Sequence, residues 1–245
     1  MTIAEVAVAA LTPEAFVREF VDRRRPCLIR AAARGWPALE RWRYPETIRQ
    51  ALGHTRPVRQ FFDAVSDKGA LGERLEPGSP FAALARDVGA LPFLPTTPAP
   101  IRRVSFERAS RADWIYAEAE ELVFTRVIGA DEVSLLPPDA PTFRALTATP
   151  PALDGLRPHV VVVEAGDALF VPSFWWRTTT RRGADYGAVV SHTWTTPRHL
   201  YDPRLPGVRA SLRRAAQHGY LPLAAANAAW SLLQLGRIFR PPFSV

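Results

Sequence analysis

The stretch that decides the fold runs from Gly166 to Trp176 and reads Gly-Asp-Ala-Leu-Phe-Val-Pro-Ser-Phe-Trp-Trp. An apolar run, Val160–Val163, precedes it. Together they predict a strand, a Gly-Asp turn, a second strand and then a proline corner that leads into two tryptophans. The next residue is Arg177, a permanent cation at the start of the following predicted strand.

Working outward, the chain is predicted to be mainly β with flanking helices. Strands are expected at Val58–Phe62, Ile101–Phe106, Trp114–Glu118, Glu121–Ile128, Glu132–Leu136, Val160–Glu164, Ala168–Val171, Trp175–Thr180 and Gly187–Trp194. Helices are expected at Thr12–Val21, Pro45–Leu52, Pro80–Val88, Arg209–Gln217 and Pro222–Ile238, and the four prolines of Pro92–Pro100 predict a loop.

Several motifs resemble one known family. They are the Gly-Asp strand with its Trp-Trp corner, Val127-Ile128-Gly129 followed by Val133–Pro138, and an opening pattern that includes Gly35-Trp36-Pro37. In these motifs the chain resembles the JmjC-like branch of the cupins, over about residues 11–200. The resemblance implies a double-stranded β-helix, or jelly-roll, barrel with N-terminal helices.

Members of that branch are hydroxylases that use iron(II) and 2-oxoglutarate, with iron held by two histidines and one carboxylate. Counting back from the Gly turn without gaps places Tyr116 at the first histidine and Glu118 at the carboxylate, and the second histidine becomes Arg177. Arginine offers only donors and cannot bind a cation. The lysine for 2-oxoglutarate falls at Asp131 or Ser134. The resemblance therefore implies a barrel that has lost its iron triad, and restoring both histidines is expected to create a metal site.

Three further residues complete the predicted pocket. His192 stands two residues before the final barrel tryptophan and is expected to point inward, and Arg126 shares strand parity with Tyr116. Arg177, Arg126 and Trp176 are the candidate ligand contacts, although a packing role is favoured for Trp176. Glu118, His192 and Tyr116 are the candidate catalytic residues.

These residues leave three hypotheses open. Arg177 pairs with Glu118 as architecture, in a pseudo-hydroxylase that binds a small anion or a peptide or protein partner. Alternatively, Arg177 clamps an oxyanion while Glu118, His192 and Tyr116 serve metal-independent acid-base catalysis. In the third, iron and 2-oxoglutarate are retained, with iron held by Glu118, His192 and a further unconventional ligand such as His159. Only the first two need no cofactor.

Composition narrows the classes of protein. The net charge is +7, with 31 lysines and arginines of which Lys68 is the sole lysine, but the arginines are scattered and form no nucleic-acid motif. The single cysteine, Cys27, excludes an internal disulfide and suits a reducing, cytoplasmic location. No apolar run reaches membrane-spanning length. We expect neither nucleic acid nor membrane as a partner.

Residues 1–205 are predicted to form the barrel domain with its N-terminal helices, and residues 206–245 a C-terminal helical extension. The last predicted helix carries Leu223, Trp230 and Leu233 and is too apolar to be wholly exposed. The resemblance implies a homodimer through these helices, and packing on the chain's own barrel is the alternative.

Overall fold

The structure is a computed structural model that describes residues 2–53, 73–107, 111–117, 120–149, 151–183, 186–200, 202 and 204–210. Its strands are β1 (Ala4–Ala7), β2 (Cys27–Arg30), β3 (Glu73–Arg74), β4 (Ile101–Glu107), β5 (Arg111–Tyr116), β6 (Glu121–Ile128), β7 (Ala130–Leu136), β8 (His159–Val163), β9 (Ala168–Val171), β10 (Trp176–Arg182) and β11 (Gly187–Trp194). Its helices are α1 (Pro13–Phe16), α2 (Ala38–Arg41), α3 (Pro45–Ala51), α4 (Ala140–Thr147) and α5 (Pro197–Leu200).

Two sheets face each other. The larger is seven-stranded in the order β1-β2-β9-β6-β11-β4-β3, and the smaller is four-stranded in the order β5-β10-β7-β8. From β4 to β11 consecutive strands change sheet, except β7 and β8, which pair with each other. This order is that of a double-stranded β-helix, so the predicted cupin, or jelly-roll, fold is confirmed.

Most predicted elements are present. Strands β6, β9 and β11 have the predicted bounds, and Thr12 caps α1 by accepting a hydrogen bond from the Ala15 amide at 3.2 Å. The helix expected at Pro80–Val88 is a 3-10 helix over Ala82–Asp87. Residues 206–210 are helical. The strand predicted at Val58–Phe62, Glu118, and the helices predicted beyond residue 210 lie outside the described residues.

The barrel interior is an apolar layer between the two sheets. Its members come from both, and include Leu28, Leu122, Phe124, Val133, Leu135, Val161, Val163, Leu169, Val171, Trp175 and Val189. A second layer covers the outer face of the larger sheet, where Phe16, Trp36 and Trp42 pack on strand residues such as Phe170. Burial of each large apolar side chain contributes about 1.5–3 kcal/mol, so both faces of the larger sheet stabilise the fold.

The Gly-Asp turn joins this outer layer to the barrel. Gly166 adopts φ +95°, a conformation that favours glycine. Asp167 accepts hydrogen bonds from Arg30 Nη1 at 2.7 Å and from the Ala31 amide at 2.9 Å. The turn therefore fixes the end of β2 beside β9, and this explains why the stretch that contains it decides the fold.

Candidate functional site

Arg177 lies at the start of β10 on the interior face of the smaller sheet. It pairs with Ile115 on one side and Leu135 on the other, and Leu135 in turn pairs with His159. Because residues directly opposite on antiparallel strands point to the same face, and Leu135 belongs to the interior layer, this row points into the barrel. Arg177 and His159 thus share one end of the barrel, with about 10 Å between their Cα atoms across two strand spacings.

Arg103 reaches the same end from the larger sheet. A short corner, Pro172–Trp175, joins the end of β9 to the start of β10, so the end of β11 that holds Thr193 lies at the Arg177 end. Arg103 Nη1 donates to Thr193 Oγ1 at 2.9 Å and lies 4.0 Å from Glu120 Oε2. We call Arg177, His159, Arg103, Thr193 and Glu120 the Arg177 end.

The electrostatics of this end favour an anion. Both guanidinium groups stay charged at any accessible pH and present planar sets of donors that match carboxylate and phosphate oxygens. The Arg103 side chain is 13% exposed, so water screens its charge only partly. Burial lowers the pKa of His159 below its ordinary value, which keeps the imidazole neutral near pH 7 and able to donate one hydrogen bond and accept another.

The opposite end of the barrel is closed by a buried cluster of charges. Arg126 Nη1 lies 2.7 Å from Asp131 Oδ2, and Arg181 Nε lies 3.8 Å from Asp131 Oδ1. The exposed fraction of the side chain is 0% for Arg126, 2% for Asp131 and 6% for Arg181. Since Arg181 follows Arg177 by four residues on one strand, about 13 Å separates the two ends. Arg126 faces the interior as predicted, but it does not share the Arg177 end.

Tyr116 and Trp176 do not face the interior, so the predicted placement of Tyr116 in the pocket is wrong, and Trp176 has the favoured packing role rather than a ligand contact. They pair with each other and with Leu136 on the outer face of the smaller sheet, with 4.3 Å between the ring centroids of Tyr116 and Trp176. Helix α4 covers them there through Leu146 and Phe143. Residue parity explains the result, because Trp176 and Arg177 are neighbours in one strand and must point to opposite faces.

The predicted placement of His192 is also wrong. His192 pairs with Val123 and Arg102 on the outer face of the larger sheet, and its ring centroid lies 6.4 Å from that of Trp36. Ser191 and Thr193, its neighbours in the strand, face the interior instead. Burial, with a smaller contribution from the Arg102 charge, lowers the pKa of His192 to about 3. Its Nδ1 has no hydrogen-bond partner among the described residues.

The positions expected to hold iron and its co-substrate do not converge. Arg177 points inward and Tyr116 outward, and Asp131 belongs to the buried cluster at the far end. Ser134 pairs with the exposed Val160 on the outer face. In the described ranges no three His, Cys, Asp or Glu side chains come together as a metal-binding group. The expected pair of Arg177 with Glu118 stays a prediction, because Glu118 is outside those ranges.

A buried serine, histidine and glutamate lie together behind the corner, but their geometry is structural. Glu121 accepts from the Ser173 amide at 3.0 Å and from Ser173 Oγ at 3.1 Å, and His199 Nδ1 lies 2.6 Å from Glu121 Oε1. Serine and histidine both contact the carboxylate, so the imidazole does not activate the hydroxyl as a catalytic triad requires. The group fastens α5 to the corner that precedes Arg177.

Sequence reasoning missed most of the Arg177 end. The sequence suggests His159 only as an unconventional iron ligand, whereas it is the first residue of β8 and faces inward at the Arg177 end. Arg103 was passed over as one of many scattered arginines. Along β4, Arg103 shares a face with Ile101, whereas Arg102 shares the other face with Val104 and Phe106. Because apolar residues occupy both faces, the sequence does not show which arginine points inward. Only the pairing of β4 with β11 shows which face is interior.

The strand order and the two interior sheet faces define the double-stranded β-helix fold of the cupin class, and polar side chains lie at one end of its barrel. No family model matches the chain, and no curated protein matches it. Among solved structures it is similar to RmlC from Streptococcus suis in complex with dTDP-D-xylose, at 14% identity and a TM-score of 0.30. That match covers 41% of this chain and 46% of the RmlC chain, less than half of each. So weak a likeness carries no argument, and the class rests on the topology.

Proposed function

We propose that this chain is a binding protein that holds a small anionic ligand at the Arg177 end of its barrel. The observation that carries the proposal is that Arg177 and Arg103 face the interior from opposite sheets at one end, where Arg103 is largely buried. Two guanidinium groups on opposing walls suit a ligand with oxyanions at both ends or with one phosphate between them.

The rest of this end gives the ligand an orientation. Thr193 supplies a hydroxyl and His159 a neutral imidazole, while Leu135 and Trp175 supply an apolar wall. Glu120, near Arg103, offsets part of the charge of that arginine, so this side suits a single carboxylate rather than a multiply charged group. These features favour a small carboxylate with an apolar body over a polyanion, and no nucleic acid is expected as a partner.

In this proposal the chain is a pseudo-hydroxylase of the JmjC-like branch and uses no iron or 2-oxoglutarate. Two residues at the positions matched to the family's iron-binding histidines support it: Arg177 cannot bind a cation, and Tyr116 points outward. A cytoplasmic location and a homodimer through residues 206–245 remain predictions. In the described ranges no helix is long and apolar enough to cross a membrane.

The catalytic alternatives are less favoured, because two of their three candidate residues lie away from Arg177 and the third, Glu118, is outside the described residues. His192 and Tyr116 face away from the interior, so neither can act on a ligand beside Arg177. For the same reason His192 and His159 cannot hold one iron between them. Within the Arg177 end, His159 and Glu120 are the titratable groups that acid-base chemistry would use.

The test is calorimetric titration of the full chain with succinate and, separately, with inorganic phosphate. We expect succinate to bind, and Arg177→Gln and Arg103→Gln each to weaken binding about tenfold, since a charge-assisted hydrogen bond contributes about 1.5–3 kcal/mol. The matched control is Arg144→Gln, on the exposed surface of α4, which removes the same charge outside the barrel, on the outer side of the smaller sheet.

Equal binding by the Arg177→Gln and Arg144→Gln proteins would refute the site. Absence of heat with both probes would refute the small-anion class as well. Unfolding of each variant is followed in parallel by circular dichroism, so that a lost fold is not taken for a lost ligand.

A further inference from the structure

Strand β8 is the last strand of the smaller sheet and has a partner on one side, in the described part of the chain. It pairs with β7 through five residue pairs, from His159 with Leu135 to Val163 with Asp131. Its other edge therefore presents a row of backbone donors and acceptors to whatever lies beside it.

This edge lacks the devices that normally prevent strand pairing. The strand reads His-Val-Val-Val-Val, with no charge, proline or bulge inside it. The other edge of the same sheet, β5, carries Arg111 and Asp113, and its pairing with β10 is irregular. At the edge of the larger sheet, Glu5 on β1 is charged and bonds Arg30. Among these edges β8 is the one suited to accept a further strand.

The outer face of β8 is also apolar and exposed. Val160 is 54% exposed, and Val162, which shares its face, is partly buried. An exposed valine on an unprotected edge strand is a feature of surfaces that become covered on association.

The charges on either side of β8 indicate what covers it. Arg157 precedes the strand and Glu164 follows it, and both are exposed. A second β8 that pairs in antiparallel fashion about Val161 places Val160 opposite the partner subunit's Val162. The same arrangement brings Arg157 close to the partner subunit's Glu164, and twofold symmetry repeats this contact at the other end. The edge is therefore complementary to itself in backbone direction, in apolar face and in charge.

We propose that two copies of this chain associate through their β8 edges, so that the two four-stranded sheets become one continuous sheet. The proposal is independent of the anion site, since it uses the outer face and edge of β8 and leaves His159 at the interior. It also differs from a dimer through residues 206–245.

The test is sedimentation equilibrium of the full chain over a range of concentrations. The wild type is expected to reach a dimer, and Val160→Lys to shift the equilibrium to monomer, because it places two like charges at the edge. Val160→Thr is the control, since it keeps β-branching and shape. A wild type that stays monomeric, or a Val160→Lys protein that dimerises as well as the wild type, would overturn the proposal.

Charge exchange distinguishes a second copy from any other partner. Arg157→Glu alone places glutamates against each other at both symmetric contacts, and we expect the dimer to weaken about tenfold. The double variant Arg157→Glu with Glu164→Arg restores opposite charges in a homodimer and is expected to return the affinity to within about threefold of the wild type. If the double variant is as weak as the single one, the antiparallel pairing is refuted.

Discussion

At the scale of single residues, His192 shows how a histidine with the appearance of a catalytic group becomes part of a packed layer. It lies between the larger sheet and Trp36, where its charged form would be removed from water and repelled by the Arg102 charge. Its pKa of about 3 keeps the ring neutral over the physiological range. The histidine therefore affects stability rather than turnover.

This position predicts a pH-dependent stability. In the unfolded chain His192 takes up a proton below about pH 6.5, whereas the folded protein resists protonation down to about pH 3, so stability falls as pH drops through this window. Between about pH 7 and pH 5 the wild type should lose about 2 kcal/mol of unfolding free energy more than His192→Gln does. Urea titrations at the two pH values measure the difference. Parallel losses in both proteins would show that His192 is not the group responsible.

Gly187 is constrained by the charged cluster at the end of the barrel away from Arg177. A methyl group there would overlap the Arg126 guanidinium, and the new Cβ would lie 2.9 Å from Arg181 Cζ. We expect Gly187→Ala to lower the free energy of unfolding by about 2–4 kcal/mol, because the buried arginine must leave its ion pair with Asp131.

A double-mutant cycle separates this cause from a general effect of alanine. In an Arg126→Lys background the branched guanidinium is gone, so Gly187→Ala should cost at least about 1 kcal/mol less than in the wild type. Denaturant unfolding of the four proteins gives the coupling. Additive losses would show that the methyl group meets no resistance from Arg126.

At the scale of elements, the faces of β5 and β10 determine which substitutions can build a metal site. Since Tyr116 pairs with Trp176 and not with Arg177, the two positions lie on opposite faces of the smaller sheet. The double variant Tyr116→His with Arg177→His is therefore expected to bind no more iron(II) than the wild type, contrary to the expectation from the sequence motifs. Anaerobic dialysis with and without 2-oxoglutarate, followed by metal analysis, makes the comparison.

A variant on the correct face is the positive counterpart to this experiment. Ile115 pairs directly with Arg177 and points inward. Ile115→His with Arg177→His places two imidazoles side by side on adjacent strands, and cobalt(II) absorption should report binding above the wild-type level. If instead the Tyr116 variant gains the metal, the register of β5 against β10 is different from the one described.

At the scale of the whole molecule, the sequence was sufficient for the fold but not for the site. Turn residues that follow apolar runs, such as Gly129 after Val127 and the Gly-Asp turn, are a local signal in the sequence. From such signals β6, β9 and β11 were predicted with their observed bounds. The face that a side chain occupies depends on pairing between distant strands, and an error of one residue inverts it. The ungapped count assigned Tyr116 inward, and the spacing from the final barrel tryptophan assigned His192 inward, but both point outward.

The second reason is that both faces of the larger sheet are buried. When one face meets water, alternation of polar and apolar residues reveals the interior side, but here Phe170 packs outward and Leu169 inward. Hydrophobic pattern therefore carries no information on orientation in these strands. His159 and Arg103 became recognisable as neighbours of Arg177 only from the sheet order.

The pairing of β2 with β9 has a consequence for how the chain acquires its structure during synthesis. Cys27 pairs with Phe170, and Asp167 accepts a hydrogen bond from Arg30, so β2 meets its partner β9 only after about 140 further residues have been synthesised. Until then a nascent segment with exposed Leu28 and Ile29 has no native neighbour on that side. The segment is therefore most prone to aggregate until β9 has been synthesised. During that time it is a clear target for chaperones that recognise short apolar stretches.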